Sequence, residues 1–376
     1  MSSTEIPVQV KSFRFSPYEV SSTAPIELEP HLDVVEKLMS NGFNHLHVKE
    51  NYIFPPNERP QMAEICRSYR IPIIDLKDLD GPARKSVVNE IKRACEQDGF
   101  FQIVNHGVPE SLMKSMMDVA KEFFEMPLED RACLYSENTK KSVRLYASFN
   151  ITRDKFLNWM DVLTQLCHPL EEYIHAWPQK PAAYREIAGK YAKEIRVLTL
   201  RLLAAISEAM EQDSDYLNTI FKKHRQAMNI NYYPPCPNPD LTFGVAPHSD
   251  ATGITVLMQG LVSGLQVLRD GKWVAVEPTP NAFVVNLGDQ LQVLSNGRFQ
   301  SIEHRAITNN TTARISIPTF CGPSLDAFIS PAESMVDEEH PALYRGYRFE
   351  EYMDAFWSQG LKSKTILDRF KIETGQ

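Results

Sequence analysis

Residues 265–276, LQVLRDGKWVAV, contain two short apolar runs separated by Asp270-Gly271. Aspartate followed by glycine favours a tight two-residue turn, so this segment predicts a β-hairpin. A second turn is predicted at Asn296-Gly297, after the apolar run of residues 291–294. From about Met228 onward, short apolar runs recur roughly every ten residues between Gly and Pro turns, a pattern typical of an antiparallel sandwich or jelly roll.

The remainder of the chain predicts helices and a few further strands around this β region. We predict helices in residues 31–39, 83–98, 112–125, 181–210 and 349–370, and strands in residues 71–76, 100–104, 144–150 and 159–163. The predicted fold class is mixed α/β dominated by β, with a jelly-roll core and surrounding helices. The predicted regions are an N-terminal extension (1–70), a helical region that packs on the barrel (71–215), the jelly-roll core (225–330) and a C-terminal helical tail (331–376).

The composition is that of an ordinary globular protein with an excess of acidic residues. Its 376 residues are 43% hydrophobic and 23% charged, with a net charge of −8. This balance argues against nucleic-acid binding, and a small anionic substrate would need locally placed basic residues. The six cysteines are scattered, and the sequence shows neither a signal-peptide pattern nor a membrane-spanning apolar run. We therefore expect a cytoplasmic protein with no membrane and no obligate protein partner.

Two histidines and one aspartate form the main candidate for a metal site. His248 and Asp250 are two positions apart, so an extended segment directs both side chains to the same face. His304 follows 54 positions after Asp250 (304 − 250). Two imidazoles and one carboxylate suit divalent iron with one face left open. Taken singly, a His-x-Asp pair is more often a surface or turn feature, and a lone histidine is more often hydrogen-bonded in the core, so the interpretation depends on the whole set.

Six motifs in fixed order carry a family resemblance. They are Asn231-Tyr232-Tyr233-Pro234-Pro235-Cys236-Pro237, Pro247-His248-Ser249-Asp250, Asn286-Leu287-Gly288-Asp289, Leu294-Ser295-Asn296-Gly297, His304-Arg305 and Arg314-Ile315-Ser316. Together they resemble the plant iron- and 2-oxoglutarate-dependent oxygenases, and residues 71–76 and 99–107 are similar to the N-terminal region of that family. The resemblance implies a double-stranded β-helix (jelly roll) core that encloses Fe(II), with His248, Asp250 and His304 as its ligands.

The resemblance also implies a pocket for 2-oxoglutarate. Arg314 suits the far carboxylate of this co-substrate, because a planar guanidinium binds a carboxylate through two hydrogen bonds. Ser316 follows two residues later on the same face of a strand, and Asn231 and Tyr233 are implied contacts. Three protein ligands on a six-coordinate iron leave two positions for the co-substrate and one for O2. The implied reaction converts 2-oxoglutarate to succinate and CO2 while hydroxylating or desaturating an organic substrate, with ascorbate as the expected reductant.

The substrate is less well defined by the sequence. Residues 144–150, 158–161 and 167–170 are most similar to a plant branch that contains salicylate hydroxylases and soluble flavone synthases. We predict Tyr146, Ser148, Phe149 and Phe320 as walls of the substrate site. A planar phenolic is expected, most favourably a flavanone that is desaturated to a flavone or hydroxylated in flavonoid biosynthesis. The alternatives are salicylate hydroxylation, oxidation of gibberellin or another hormone, and a non-catalytic jelly-roll binding protein.

Overall fold

Two β-sheets form the centre of the computed structural model, which describes residues 48–62, 65–66, 69–148, 155–359 and 363–372. The strands are β1 (Ile73–Asp75), β2 (Phe100–Val104), β3 (Val143–Ala147), β4 (Asp161–Leu166), β5 (Arg225–Tyr233), β6 (Val245–His248), β7 (Ile254–Met258), β8 (Leu265–Arg269), β9 (Lys272–Ala275), β10 (Phe283–Leu287), β11 (His304–Ala306), β12 (Arg314–Gly322), β13 (Phe328–Ile329) and β14 (Tyr347–Arg348). The predicted helix over residues 31–39 and the predicted wall residue Phe149 lie outside the described residues.

The strand order accounts for the jelly roll. In the described residues, one sheet runs β1-β2-β10-β7-β12-β5-β4-β3 and a second runs β6-β11-β8-β9. Apart from the parallel pair β1 and β2, neighbouring strands in both sheets are antiparallel. The two sheets pack against each other through a cluster of buried apolar residues from both, namely Phe100, Leu257, Leu265, Val267, Val274, Val276 and Val284.

Helices pack around the two sheets. They are α1 (Arg84–Gln97), α2 (Glu110–Glu125), α3 (Leu128–Arg131), α4 (Leu170–Tyr173), α5 (Tyr184–Ala209), α6 (Tyr216–Phe221), α7 (Asp289–Leu294), α8 (Phe349–Gln359) and α9 (Ser363–Leu367). The long helix α5 packs against both α1 and α2. Among the residues described, no helix combines the length and apolar character needed to cross a membrane.

Successive residues of the large sheet face different surroundings, because side chains alternate along a strand. On β12, Ile315 and Ile317 pack into the apolar core shared with the helices, whereas Arg314 and Ser316 line a cavity between the sheets. The neighbouring strand β5 follows the same rule, with Ile230 on the helix side. The inner face can therefore carry polar residues while the outer face supplies the core.

The described part of the N-terminal extension packs against the barrel. Cys66 forms an isolated β-bridge with Val274 of β9. The Nη2 of Arg305 donates a 2.6 Å hydrogen bond to the carbonyl of Pro60. These contacts attach residues near position 60 to the small sheet.

Most of the predicted elements are present, with two differences. The hairpin at residues 265–276 is confirmed, since β8 pairs with β9 and both Asp270 and Gly271 have positive φ. The turn at Asn296-Gly297 is also present, but the preceding run is the helix α7 and not a strand. Four apolar-rich residues do not distinguish a short strand from a helical turn. The strand predicted for residues 144–150 ends at Ala147, because Ser148 has a φ of 57°.

We predict that Gly288→Ala destabilises the barrel beside the predicted metal ligands. A Cβ at this position would overlap the carbonyl oxygen of Thr252 and lie 3.0 Å from that of Asp250. Overpacking of this kind typically lowers the free energy of unfolding by about 1–3 kcal/mol, which urea denaturation would measure. Gly81→Ala is the matched control, because its Cβ would meet no atom closer than 3.6 Å. Equal stabilities of the two variants would contradict the prediction.

Candidate active site

Strand pairing brings the three predicted metal ligands together. His248 is the last residue of β6, His304 is the first residue of β11, and the two are direct partners in the antiparallel register. Their rings lie 4.2 Å apart between centroids. Asp250 lies two residues after the end of β6, with its Oδ1 atom 3.7 Å from Nε2 of His248 and 3.6 Å from Nε2 of His304. The three ligand atoms lie within 4.8 Å of one another, close enough to share one ion.

The second nitrogen of each imidazole is held by the backbone. Nδ1 of His248 lies 2.9 Å from the carbonyl oxygen of Ala246, and Nδ1 of His304 lies 3.2 Å from that of Ile302. A carbonyl oxygen only accepts hydrogen bonds, so each Nδ1 carries the proton and each Nε2 presents its lone pair. Burial and the neighbouring His304 lower the pKa of His248 to about 4, which keeps this imidazole neutral.

The carboxylate of Asp250 is oriented by hydrogen bonds to its other oxygen. Oδ2 accepts hydrogen bonds from Oγ1 of Thr255 at 2.5 Å and from Nδ2 of Asn286 at 2.7 Å. Burial alone would raise the pKa of Asp250, but the two imidazoles and these donors outweigh it and lower the pKa. An ionised carboxylate and two histidine Nε2 lone pairs form the donor set that suits Fe(II), and such outer hydrogen bonds fix the ligands.

A small cavity of about 70 Å³ adjoins the three ligands and contains the predicted co-substrate residues. In the pairing of β12 with β5, Arg314 lies opposite Tyr233 and Ser316 lies opposite Asn231. All four side chains face this cavity. The neighbouring strands β12 and β5 of the large sheet therefore form one wall of the site. The small sheet supplies the predicted histidine ligands from β6 and β11.

Arg314 is a buried cation without an acidic partner among the residues that the structure describes. It is 3% exposed, and its Nε donates a 3.1 Å hydrogen bond to the carbonyl of Val262. Its guanidinium carbon lies 5.1 Å from the centre of the Tyr233 ring. Burial lowers the pKa of Arg314, although arginine remains protonated in proteins. A buried charge normally has an ionic partner, so the free side of this guanidinium is suited to a bound carboxylate.

A second, larger cavity of about 220 Å³ meets the first at the predicted metal ligands His248 and Asp250. Both cavities are lined by Asn231, Val245, His248, Asp250 and Phe320. The larger cavity extends along the inner face of β3, β4 and β5, and helix α8 closes it from the other side. The larger cavity therefore leads to the predicted metal ligands.

Two of the four predicted substrate residues lie in this wall. Tyr146 and Phe320 line the larger cavity. Ser148 lines neither cavity: it is fully buried, and its hydroxyl accepts a 2.9 Å hydrogen bond from the backbone of Asn158. Ser148 is absent from this wall because β3 ends at Ala147 and the backbone turns at Ser148, which has a φ of 57°. Oδ1 of Asn158 accepts a hydrogen bond from the backbone of Ala246 at 2.7 Å, so Ser148 supports the strand that carries His248.

Several wall residues were missed by the sequence reasoning. Arg144 and Asn229 line the larger cavity, each two positions before a residue that was singled out. Applying the two-residue period of a strand to Tyr146 and Asn231 would have found both. The wall residues from α8 are Phe349, Met353, Phe356 and Trp357. These residues are four, three and one positions apart, which places them on one face of a helix. The sequence does not show that this face meets the cavity, because that depends on how α8 packs in the tertiary fold.

A buried carboxylate holds the C-terminal helices beside the predicted metal ligands. Asp289 is fully buried, and its backbone N–H donates a 2.8 Å hydrogen bond to the carbonyl of Asp250. Its carboxylate accepts hydrogen bonds from Tyr352 of α8 at 2.5 Å and from Lys364 of α9 at 3.3 Å. Ser301 adds a third at 2.7 Å. This network holds the helix that closes the larger cavity.

Comparison with known proteins assigns the family. The model of the 2OG-Fe(II) oxygenase superfamily matches residues 224–323, and the model described as non-haem dioxygenase in morphine synthesis N-terminal matches residues 71–180. The chain belongs to the 2OG-Fe(II) oxygenase superfamily. It is therefore an enzyme that uses Fe(II) and 2-oxoglutarate, and the alternative of a non-catalytic binding protein is wrong.

Named relatives cover nearly the whole chain. Protein DMR6-LIKE OXYGENASE 1 of Arabidopsis thaliana is 48% identical over 90% of this chain and 98% of its own length. Flavanone 3-dioxygenase 2 of Oryza sativa subsp. japonica is 41% identical over 85% of this chain and 93% of its own length. The crystal structure of JOX2 in complex with 2OG, Fe and JA superposes with a TM-score of 0.81, at 33% identity over 90% of this chain and 97% of that chain.

We predict that Tyr352→Phe loosens the cover of the larger cavity. Loss of a hydrogen bond to a buried carboxylate typically costs about 1.5–3 kcal/mol of the free energy of unfolding. The KM for the organic substrate should rise, because α8 is less firmly held, while the KM for 2-oxoglutarate stays near that of the wild type. Tyr216→Phe removes the same atom from a residue that lines neither cavity and serves as the control. A change of equal size in both KM values would contradict this role of α8.

Proposed function

We propose that His248, Asp250 and His304 hold Fe(II) in this protein. The observation that supports this most directly is the convergence of two Nε2 atoms and one carboxylate oxygen within 4.8 Å. The outward nitrogens and the second carboxylate oxygen are already engaged, so the inner atoms are left for the metal. When bound, Fe(II) supplies the oxidative chemistry by which 2-oxoglutarate and O2 give succinate, CO2 and an oxidised organic product.

The small cavity is proposed to bind 2-oxoglutarate. Arg314 would pair with its far carboxylate, and Ser316, Asn231 and Tyr233 would complete the pocket with hydroxyl and amide groups. The inner face of β12 supports this arrangement because it places Arg314 and Ser316 side by side and opposite Tyr233 and Asn231. The chain thereby orients the co-substrate, and the closing helix α8 and the paired sheets exclude water from the site.

Substitution of a single ligand tests the metal assignment. Asp250→Ala should bind iron far more weakly and lose succinate formation from 2-oxoglutarate, because two neutral imidazoles alone are a poor site for a divalent ion. Iron content after anaerobic loading and succinate release are the measurements. Asp118→Ala removes an exposed carboxylate on α2 and should retain both. Full iron binding by a folded Asp250→Ala protein would refute the assignment.

The organic substrate is proposed to be a planar phenolic compound. Aromatic side chains of the larger cavity suit such a ring, with Tyr146 and Phe320 on the sheet and Phe356 and Trp357 on α8. A flavanone is one candidate, supported by the likeness to Flavanone 3-dioxygenase 2. Salicylate is a second candidate, favoured by the basic side chain of Arg144 in the same wall. At neutral pH salicylate carries a negatively charged carboxylate and a flavanone does not. The preference of the enzyme for one or the other can therefore be tested through this charge.

A substrate panel tests the proposal. The purified protein with Fe(II), ascorbate and 2-oxoglutarate should oxidise naringenin or salicylate, with succinate formed in proportion to product identified by mass. Jasmonate, auxin and gibberellin represent the hormone alternative. Product from a hormone alone, with none from any phenolic, would contradict a planar phenolic substrate.

A further inference from the structure

Arg144 stands out among the wall residues of the larger cavity. It lies on β3 opposite Thr164 of β4, and Thr164 lies opposite Asn229 of β5. All three side chains line the cavity, although Arg144 is only 4% exposed. The long cationic side chain of Arg144 is therefore shielded from bulk solvent and lies in the wall of the larger cavity.

The guanidinium of Arg144 is held in place but has no anionic partner in the described part of the chain. Its carbon lies 3.8 Å from the centre of the Tyr146 ring, a cation–π contact that favours this position of the guanidinium. The buried Arg305 differs, because its nitrogens donate hydrogen bonds to Gln266 and to the carbonyl of Pro60. The N–H groups of Arg144 therefore keep their capacity for a ligand that enters the cavity.

The wall of the larger cavity is positively charged, whereas the protein as a whole is negatively charged. The chain carries a net charge of −8, yet the basic side chains on this wall are Arg144, Lys141 and Arg225, and the acidic one is the metal ligand Asp250. Lys141 and Arg225 are exposed, whereas Arg144 is buried. A cationic wall in an acidic protein favours the entry of an anion, and a buried guanidinium binds carboxylates with two hydrogen bonds.

We propose that Arg144 binds a carboxylate of the organic substrate and so makes the enzyme selective for aromatic acids over neutral aromatics. This inference rests on the proposed function. Neighbouring strands lie about 4.8 Å apart, so the backbone of Arg144 is about 10 Å from that of Asn229, two strands away. Asn231, the next inward residue, lines both cavities. A single aromatic ring held by its carboxylate at Arg144 would therefore extend toward the metal ligands.

A pair of nearly isosteric ligands tests this role. Salicylate and salicylamide differ in the negative charge that Arg144 would recognise. Their binding to the anaerobic enzyme loaded with Fe(II) and 2-oxoglutarate can be measured by calorimetry for the wild type and for Arg144→Met and Arg144→Lys. Arg93→Met is the control, because it removes an exposed arginine on α1 that lines neither cavity. Succinate formation without organic substrate reports whether each variant keeps a working metal and co-substrate site.

The expected result is a selective loss of acid binding. Arg144→Met should weaken salicylate about 10- to 100-fold, the factor associated with a charged hydrogen bond, while salicylamide changes little. Arg144→Lys should retain part of the preference, and Arg93→Met should behave as the wild type. The proposal is overturned if the wild type does not prefer the acid, or if Arg144→Met weakens both ligands equally. In either case, oxidation of neutral phenolics would leave the proposed function standing; absence of oxidation for every phenolic would overturn that function separately.

Discussion

The antiparallel pairing of β6 with β11 is the contact on which the whole site depends. It places His304 directly opposite His248, and Asp250 comes next to both because β6 ends two residues earlier. Since side chains alternate along strands, a slip of one residue would turn an imidazole to the other face of the sheet. The hydrogen bonds from Thr255 and Asn286 to Asp250 connect this small sheet to β7 and β10 of the large one. The proposed metal site is thus also a junction between the two sheets.

The large sheet separates stability from chemistry by its two faces. Its outer face packs on the helices, so apolar burial there stabilises the fold. Its inner face does not form this apolar core and can therefore carry polar groups. Two buried arginines lie on the inner face, each at a different cavity. Arg314 faces the small cavity beside the ligands, and Arg144 faces the larger one. In both places an acidic protein presents a cation without an acidic partner among the described residues, so the two proposed ligands are both carboxylates.

Local patterns predicted much of this arrangement, and the failures have physical causes. The turn chemistry of Asp270-Gly271 was sufficient to place a hairpin, because two positive φ angles exclude most alternatives. The two-residue period explains how Arg314 could be linked with Ser316. The prediction of Ser148 as a wall residue failed, since nothing local shows that β3 stops at Ala147. Helix α7 and the cavity face of α8 depend on what packs against them, and this information is distributed along the chain.

The most direct test of the central claim is a crystal structure of the anaerobic protein with Fe(II) and 2-oxoglutarate, with the iron located by its anomalous scattering. The account predicts one iron bonded to Nε2 of His248, Oδ1 of Asp250 and Nε2 of His304, with the far carboxylate of 2-oxoglutarate on the guanidinium of Arg314. Iron bound at other residues, or 2-oxoglutarate bound away from Arg314, would contradict the account.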